Sequence, residues 1–269
     1  IWAGYIIAAI FISDRLATLM AAMHGFFSLG GVAAGLGTFL IPILNAPVIH
    51  SLLIVVLITI PNYSLSKHYE SVTAEVTKGS KRSSNALKPL ILLGFISLIA
   101  MGSEGAIVDW SGLYLEEIVK VNPAWIGAGF LVFSITMTLG RFLGDGLSTR
   151  LGSEKVLILG ILTSIIGYLG VLTADSTISV IGFAIIGAGF SVLVPELFRM
   201  AGKQDQIPSS KAIAIVAGFG YSGFLTGPVI LGITAETYDL TTSYYGLTSA
   251  AIIIGLLSIY LSIKKKRSN

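Results

Sequence analysis

"MGSEGAIVDWSGLYLEEI", residues 101–118, continues an apolar run that begins near residue 89, and another apolar run follows it closely. It places Glu104 and Asp109 inside a stretch otherwise fit to cross a membrane. A charged side chain at the centre of a membrane helix costs roughly 2.5–3.5 kcal/mol on the insertion scale. Acids at such depth therefore need a partner or a path to water. The rise of about 1.5 Å per residue sets Glu104 roughly 22 Å along a helix entered at residue 89, and Asp109 roughly 30 Å along it, near the far edge. Five residues of separation turn the helix by about 140°, so the two acids do not share a face and do not form a catalytic dyad.

The rest of the chain agrees with lipid as the solvent. Of 269 residues, 54% are hydrophobic and 12% charged, with mean hydropathy +0.87. Soluble domains carry roughly 25% charged residues. Apolar segments fall at about 1–12, 17–44, 47–61, 89–108, 123–144, 155–174, 177–198, 212–235 and 244–262, several of them near the ~20 residues a span needs. Charge, Pro, Asn or clustered Ser/Thr separates them. The pattern predicts an all-α polytopic membrane protein with eight spans and a clipped one at the start. With no cysteine, disulfides and thiolate metal sites are excluded. Residue 1 is Ile, already inside an apolar segment with no basic stretch before it, so a signal peptide is not expected and the true start is expected to be missing.

Residues 62–88, "NYSLSKHYESVTAEVTKGSKRSSNALK", form a hydrophilic linker between two bundles. Threading the chain alternately through the bilayer puts every Lys and Arg except Lys120 on the face that holds this linker and the basic tail 263–269. Glu116, Glu117, Asp175, Glu236 and Asp239 fall on the other face. By the positive-inside rule the basic face, with the C-terminus, is cytoplasmic. The pI near 9.0 thus reports topology and not a nucleic-acid partner. Gly-rich stretches recur on both sides of the linker: "HGFFSLGGVAAGLG" (24–37) is loosely echoed by "GFGYSGFLTGP" (218–228), as expected of two duplicated halves.

"MHGFFSLGG" (23–31), "EGAIVDWSGLYL" (104–115), "GRFLGDGLSTRLGSEKVL" (140–157) and "GFGYSGFLTGP" (218–228) resemble the major facilitator superfamily of secondary transporters, in its fucose-permease-like bacterial branch. The resemblance covers essentially the whole chain and implies twelve helices in two bundles. Residues 1–61 would be the end of the N-terminal bundle (partial helix four, helices five and six), and 89–262 a complete C-terminal six-helix bundle. Helices one to three, needed for a complete carrier, would be absent. The resemblance also implies a multi-pass protein of the bacterial inner membrane that carries a small solute by alternating access, with protons or sodium as coupling ion. One departure concerns the loop between helices eight and nine. Thr149, Asp145 and Ser153–Glu154 stand where the superfamily favours Asp, Gly and a basic pair, while Arg150 and Gly152 keep their places.

The candidate solute or proton pathway consists of Glu104, Asp109, Tyr221, Ser222 and His24. Glu104 reads either as a proton or solute site facing a cavity or as a hydrogen-bonded tie between helices. Asp109, beside Trp110, reads as an interfacial cap, and His24 as a packing residue or a relay. Tyr221 and Ser222 sit among glycines, and Tyr114 and the remaining Phe residues are expected to face lipid or its interface. Arg141, Asp145, Arg150, Glu196 and Arg199 are gating or inter-bundle candidates. Arg141 and Asp145 stand at i, i+4, and Pro195 is expected to kink or end helix ten. The sequence contains no P-loop, H-E-x-x-H or G-x-S-x-G, and its three His lack metal-ligand spacing. A non-enzymatic protein without cofactor or metal is expected. A membrane sensor or scaffold on a carrier-like fold is the alternative.

Overall fold

A computed structural model of the chain describes residues 24–25, 28–32, 36, 87–204 and 207–268, the last five of these by backbone alone. The segments assigned above to 1–12 and 47–61, most of 17–44 and the linker up to residue 86 lie outside the described residues.

Among the described residues, six helices are long and apolar enough to cross a membrane. They are built from α1 (Leu87–Glu117), α2 (Ala128–Leu151), α3 (Ser153–Val171), α4 (Ser176–Phe190), α5 (Leu193–Gly202), α6 (Ser209–Thr237) and α7 (Leu240–Ser268). The six apolar segments read from residue 89 onward are these six spans, with α4 and α5 sharing one. The all-α architecture is therefore as expected. α1 starts inside the stretch read as linker, and α7 runs on through the basic tail, where cations sit favourably at a helix C-terminus.

The polar residues between the apolar runs end and start helices. Asn122 caps a 3-10 turn at Pro123–Trp125 by accepting from the Ala124 amide at 3.0 Å. Asp175 caps α4 through the amides of Thr177 and Ile178. Asp239 does the same for α7 through Thr242, and that backbone hydrogen bond holds its carboxyl below its ordinary value. Only Gly152 separates α2 from α3. Its φ of +85° is the left-handed geometry that glycine adopts without steric cost, which makes the turn this tight. The span Ser176–Gly202 breaks at Ser191–Val192, four and three residues before Pro195. Proline has no amide to offer the Ser191 carbonyl and its ring crowds that oxygen, so the regular helix is interrupted there and restarts at Leu193.

Glycines set the helix spacing. A Cβ added at Gly223 would fall on the Leu98 carbonyl, and one at Gly227 on the Gly102 carbonyl; at Gly105 it would lie 2.8 Å from the Phe224 carbonyl. α1 and α6 thus meet backbone to backbone along Gly102, Gly105, Gly223 and Gly227. α3 and α4 meet in the same way at Gly167 and Gly182. Close approach of this kind supplies the van der Waals contact that replaces a hydrophobic driving force in lipid. Where α1 meets α3, α4 and α7, Tyr114 is fully buried, against expectation. It points inward, donates to the Val171 carbonyl at 3.1 Å and stacks on Tyr244 with centroids 4.1 Å apart. Phe133, Phe183 and Phe190 are also interior.

Candidate functional site

α2 carries an unexpected stripe. Ser134, Thr138, Arg141, Asp145 and Ser148 recur at steps of four and three, the spacing that keeps residues on one face of a helix, and all five are buried. The stripe runs about 21 Å along the helix axis. Facing it, the described residues 24–25 and 28–32 run antiparallel to α2. A Cβ at Gly31 would lie 3.2 Å from Ser134 Oγ, and one at Gly25 3.0 Å from the Phe142 ring.

The first polar group on this seam joins three sequence candidates. Arg141 Nη2 donates to Glu104 Oε1 of α1 at 3.2 Å, an ion pair whose side chains are 2% and 8% exposed. Arg141 Nη1 donates to the His24 carbonyl at 3.3 Å and to Ser28 Oγ. The imidazole of His24 lies edge-on to Phe198 of α5, centroids 5.6 Å apart. One guanidinium therefore bridges α1, α2 and a segment from before the linker. Glu104 stands 13 residues from the end of α1 and Arg141 ten from the end of α2, or about 20 and 15 Å, which places the pair in the interior of the bundle.

The second group lies nearer the end of α2. Arg199 of α5 pairs with Asp145 and, at 2.7 Å through Nη1, with Glu196 Oε1. Ser148 Oγ donates to Glu196 Oε2 at 2.9 Å. Two carboxylates thus share one guanidinium across α2 and α5, and a hydroxyl of α2 serves one of them. Arg141 and Asp145, adjacent on one helix, are each drawn to a partner on another. Glu196 and Arg199 reach this seam from α5, just past the break at Ser191–Val192.

The other candidates lie apart. Asp109, Tyr221, Ser222 and Arg150 are exposed. Ser222 Oγ donates to the Phe219 carbonyl of its own helix. Sequence reading missed Ser28, Ser148 and Phe198. Ser28 stands at i+4 from His24 and Ser148 extends the four-and-three spacing from Arg141, so both left a signal. Phe198 left none. Among the described residues no group of three His, Cys, Asp or Glu side chains is arranged to hold a metal.

No protein-family model matches the chain. It is 34% identical over 237 residues to an uncharacterized MFS-type transporter of Yersinia pestis, covering 84% of this chain and 59% of that protein. It is 27% identical over 243 residues to an uncharacterized transporter of Sinorhizobium fredii, covering 89% of this chain and 64% of that one. Membrane protein MosC of Rhizobium meliloti is 30% identical over 172 residues, 64% of this chain and 42% of its own length. The chain spans less than two thirds of the length of each of these relatives. In structure it is similar to a bacterial homologue of the iron transporter ferroportin in an outward-facing state. The TM-score is 0.67 at 13% identity over 93% of this chain and 66% of that one, a likeness of fold. The chain is an all-helical bundle with six helices long and apolar enough to cross a membrane, a fold shared with a solved transporter, and it is similar in sequence to a protein named an MFS-type transporter.

Proposed function

We propose that the protein is a secondary transporter of a small polar organic solute, with a sugar first among the classes its fucose-permease likeness suggests. It works by alternating access and couples solute movement to protons or another ion. The observation that carries this is the buried polar seam on α2, centred on the Arg141–Glu104 pair and continued onto His24 and Ser28. Ionisable groups at membrane depth are costly, and they recur where a solute or ion pathway repays the cost. Transporters of this kind place such groups at the interface between two bundles, near the midplane.

In this reading Glu104 is the carboxylate that takes up a proton, and Arg141 is the group it releases to meet a solute hydroxyl or carboxylate. Separation of His24 and Ser28 from α2 breaks their bonds to Arg141 and opens the pair to water. The Asp145–Glu196–Arg199 cluster holds the basic end closed in the same step. That end is the cytoplasmic one, in a bacterial inner membrane. The test is reconstitution into vesicles holding a pH-sensitive dye, with sugars and small organic acids offered from outside. One of them is expected to drive a pH change, and Glu104→Gln is expected to retain solute exchange while losing that coupling. A folded, full-length carrier that moves none of them sinks the reading.

The burial of the pair favours a second reading, in which it is a permanent tie on a scaffold or sensor. There Glu104→Gln lowers stability at every pH and alters no flux.

A further inference from the structure

α2 and α3 leave the Gly152 turn together and then diverge, each packed closely on α4 rather than on the other. Gly187 of α4 admits no Cβ against Phe133 of α2, and Gly189 none against Gly160 and Ser164 of α3. Between α2 and α3 this leaves a groove of about 570 Å³. Leu143, Leu147, Leu159 and Thr163 wall it, Ala188 of α4 floors it, and Arg150 stands at its mouth. Leu143, Leu147 and Leu159 are 73%, 41% and 46% exposed, so the groove opens on a surface that lipid must cover.

We propose that this groove binds one anionic phospholipid, with an acyl chain between α2 and α3 and its phosphate on Arg150. The lining of α2 from Gly140 to Arg150 spans ten residues, about 15 Å, half of the ~30 Å hydrocarbon core and hence the depth of one leaflet. Arg150 lies in the last turn of α2, the level of the lipid phosphates, and forms no ion pair among the described residues. Lys155, also exposed, stands in the first turn of α3. Glu154, the acid of this turn, accepts a hydrogen bond from Ser262 of α7. A planar guanidinium at that place grips phosphate oxygens in pairs, and a basic residue beside a gap between membrane helices is the chemistry that selects anionic lipid.

The test is native mass spectrometry of the protein in mild detergent, titrated with phosphatidylglycerol or phosphatidylcholine of the same chains. Phosphatidylglycerol is expected to bind about fivefold more tightly, the gain of one basic residue near an anionic surface. Arg150→Gln is expected to bring the two lipids to parity with both still bound. Gly146→Phe fills the groove from a position where a new side chain meets no atom within 4 Å, and it is expected to lower occupancy by both lipids. Thr163→Leu, on the opposite wall, repeats that test should the first variant fold poorly. Parity in the unaltered protein overturns the proposal, as does a preference that survives Arg150→Gln, or occupancy indifferent to both groove-filling variants. Displacement of the bound lipid by inorganic phosphate alone does so too, since the site would then read a headgroup without a chain.

Discussion

Arg141 keeps its guanidinium almost wholly away from solvent, and the Glu104 carboxylate is the charge that makes this tolerable. Removing one member of a buried pair strands the other, at a cost of about 3–5 kcal/mol, whereas replacing both by apolar residues of similar volume is close to neutral. Glu104→Leu alone is therefore expected to destabilise the bundle by that amount, and Glu104→Leu with Arg141→Met to recover most of the loss. Unfolding in detergent, monitored for the two single variants and the double, reads the coupling directly. A double variant as unstable as the sum of its parts would mean the pair is not the partnership seen here. Each of these residues was legible in the sequence, because a charge in an apolar run announces itself. The pairing was not. Glu104 and Arg141 lie 37 residues apart and Arg141 and His24 lie 117 apart, and no helical period links such positions. The i, i+4 neighbour Asp145 was the only local partner in view, and the structure draws it to Arg199.

α6 is the element on which glycine placement decides most. It lies against α1 through Gly223 and Gly227, where an added Cβ meets carbonyl oxygens rather than a side chain that could swing aside. Gly223→Val is expected to push the two helices apart and cost about 1–3 kcal/mol or more, as overpacking does. Gly218→Ala, on the same helix with nothing within 4 Å, is expected to be neutral or to gain up to about 1 kcal/mol of helix propensity. Thermal unfolding of the two variants separates packing from propensity. The start of α7 offers a pH test. Folding lowers the Asp239 pKa below its ordinary 3.8, because the ionised carboxylate accepts the Thr242 amide. Its contribution is thus complete above the ordinary value and disappears as the pH falls through the lowered one. Hydrogen exchange, corrected for intrinsic rates, is expected to show Thr241–Ser243 less protected in Asp239→Ala at neutral pH. The unaltered protein is expected to lose that protection only in strong acid. Spans and caps were readable because apolar length and breaker residues are local signals. Tyr114 was misread as interfacial, because an aromatic near a helix end looks alike in sequence whether it faces lipid or, as here, the Tyr244 ring.

Across the whole molecule, charge follows the direction of the helices. Consecutive spans joined by turns as short as Gly152 run in opposite senses, so Lys88, Arg150, Lys155, Lys203 and Lys211 gather at one end of the bundle. Glu116, Glu117, Asp175, Glu236 and Asp239 gather at the other, with Lys120 among them. A bilayer with a negative inner surface and a translocation step that retains basic loops are expected to orient such a bundle with its basic end inward. The absence of cysteine from the sequence makes this directly measurable, since one introduced thiol is the only reactive one. With the protein expressed in intact cells, Glu236→Cys is expected to react with a membrane-impermeant maleimide. Lys155→Cys, exposed at the opposite end, is expected to react only after the membrane is opened. Labelling in the reverse order would place the Asp145–Glu196–Arg199 cluster at the outer end and assign the closed gate to the opposite side of the membrane. It would leave the Arg141–Glu104 pair, which lies between the two ends, where it is.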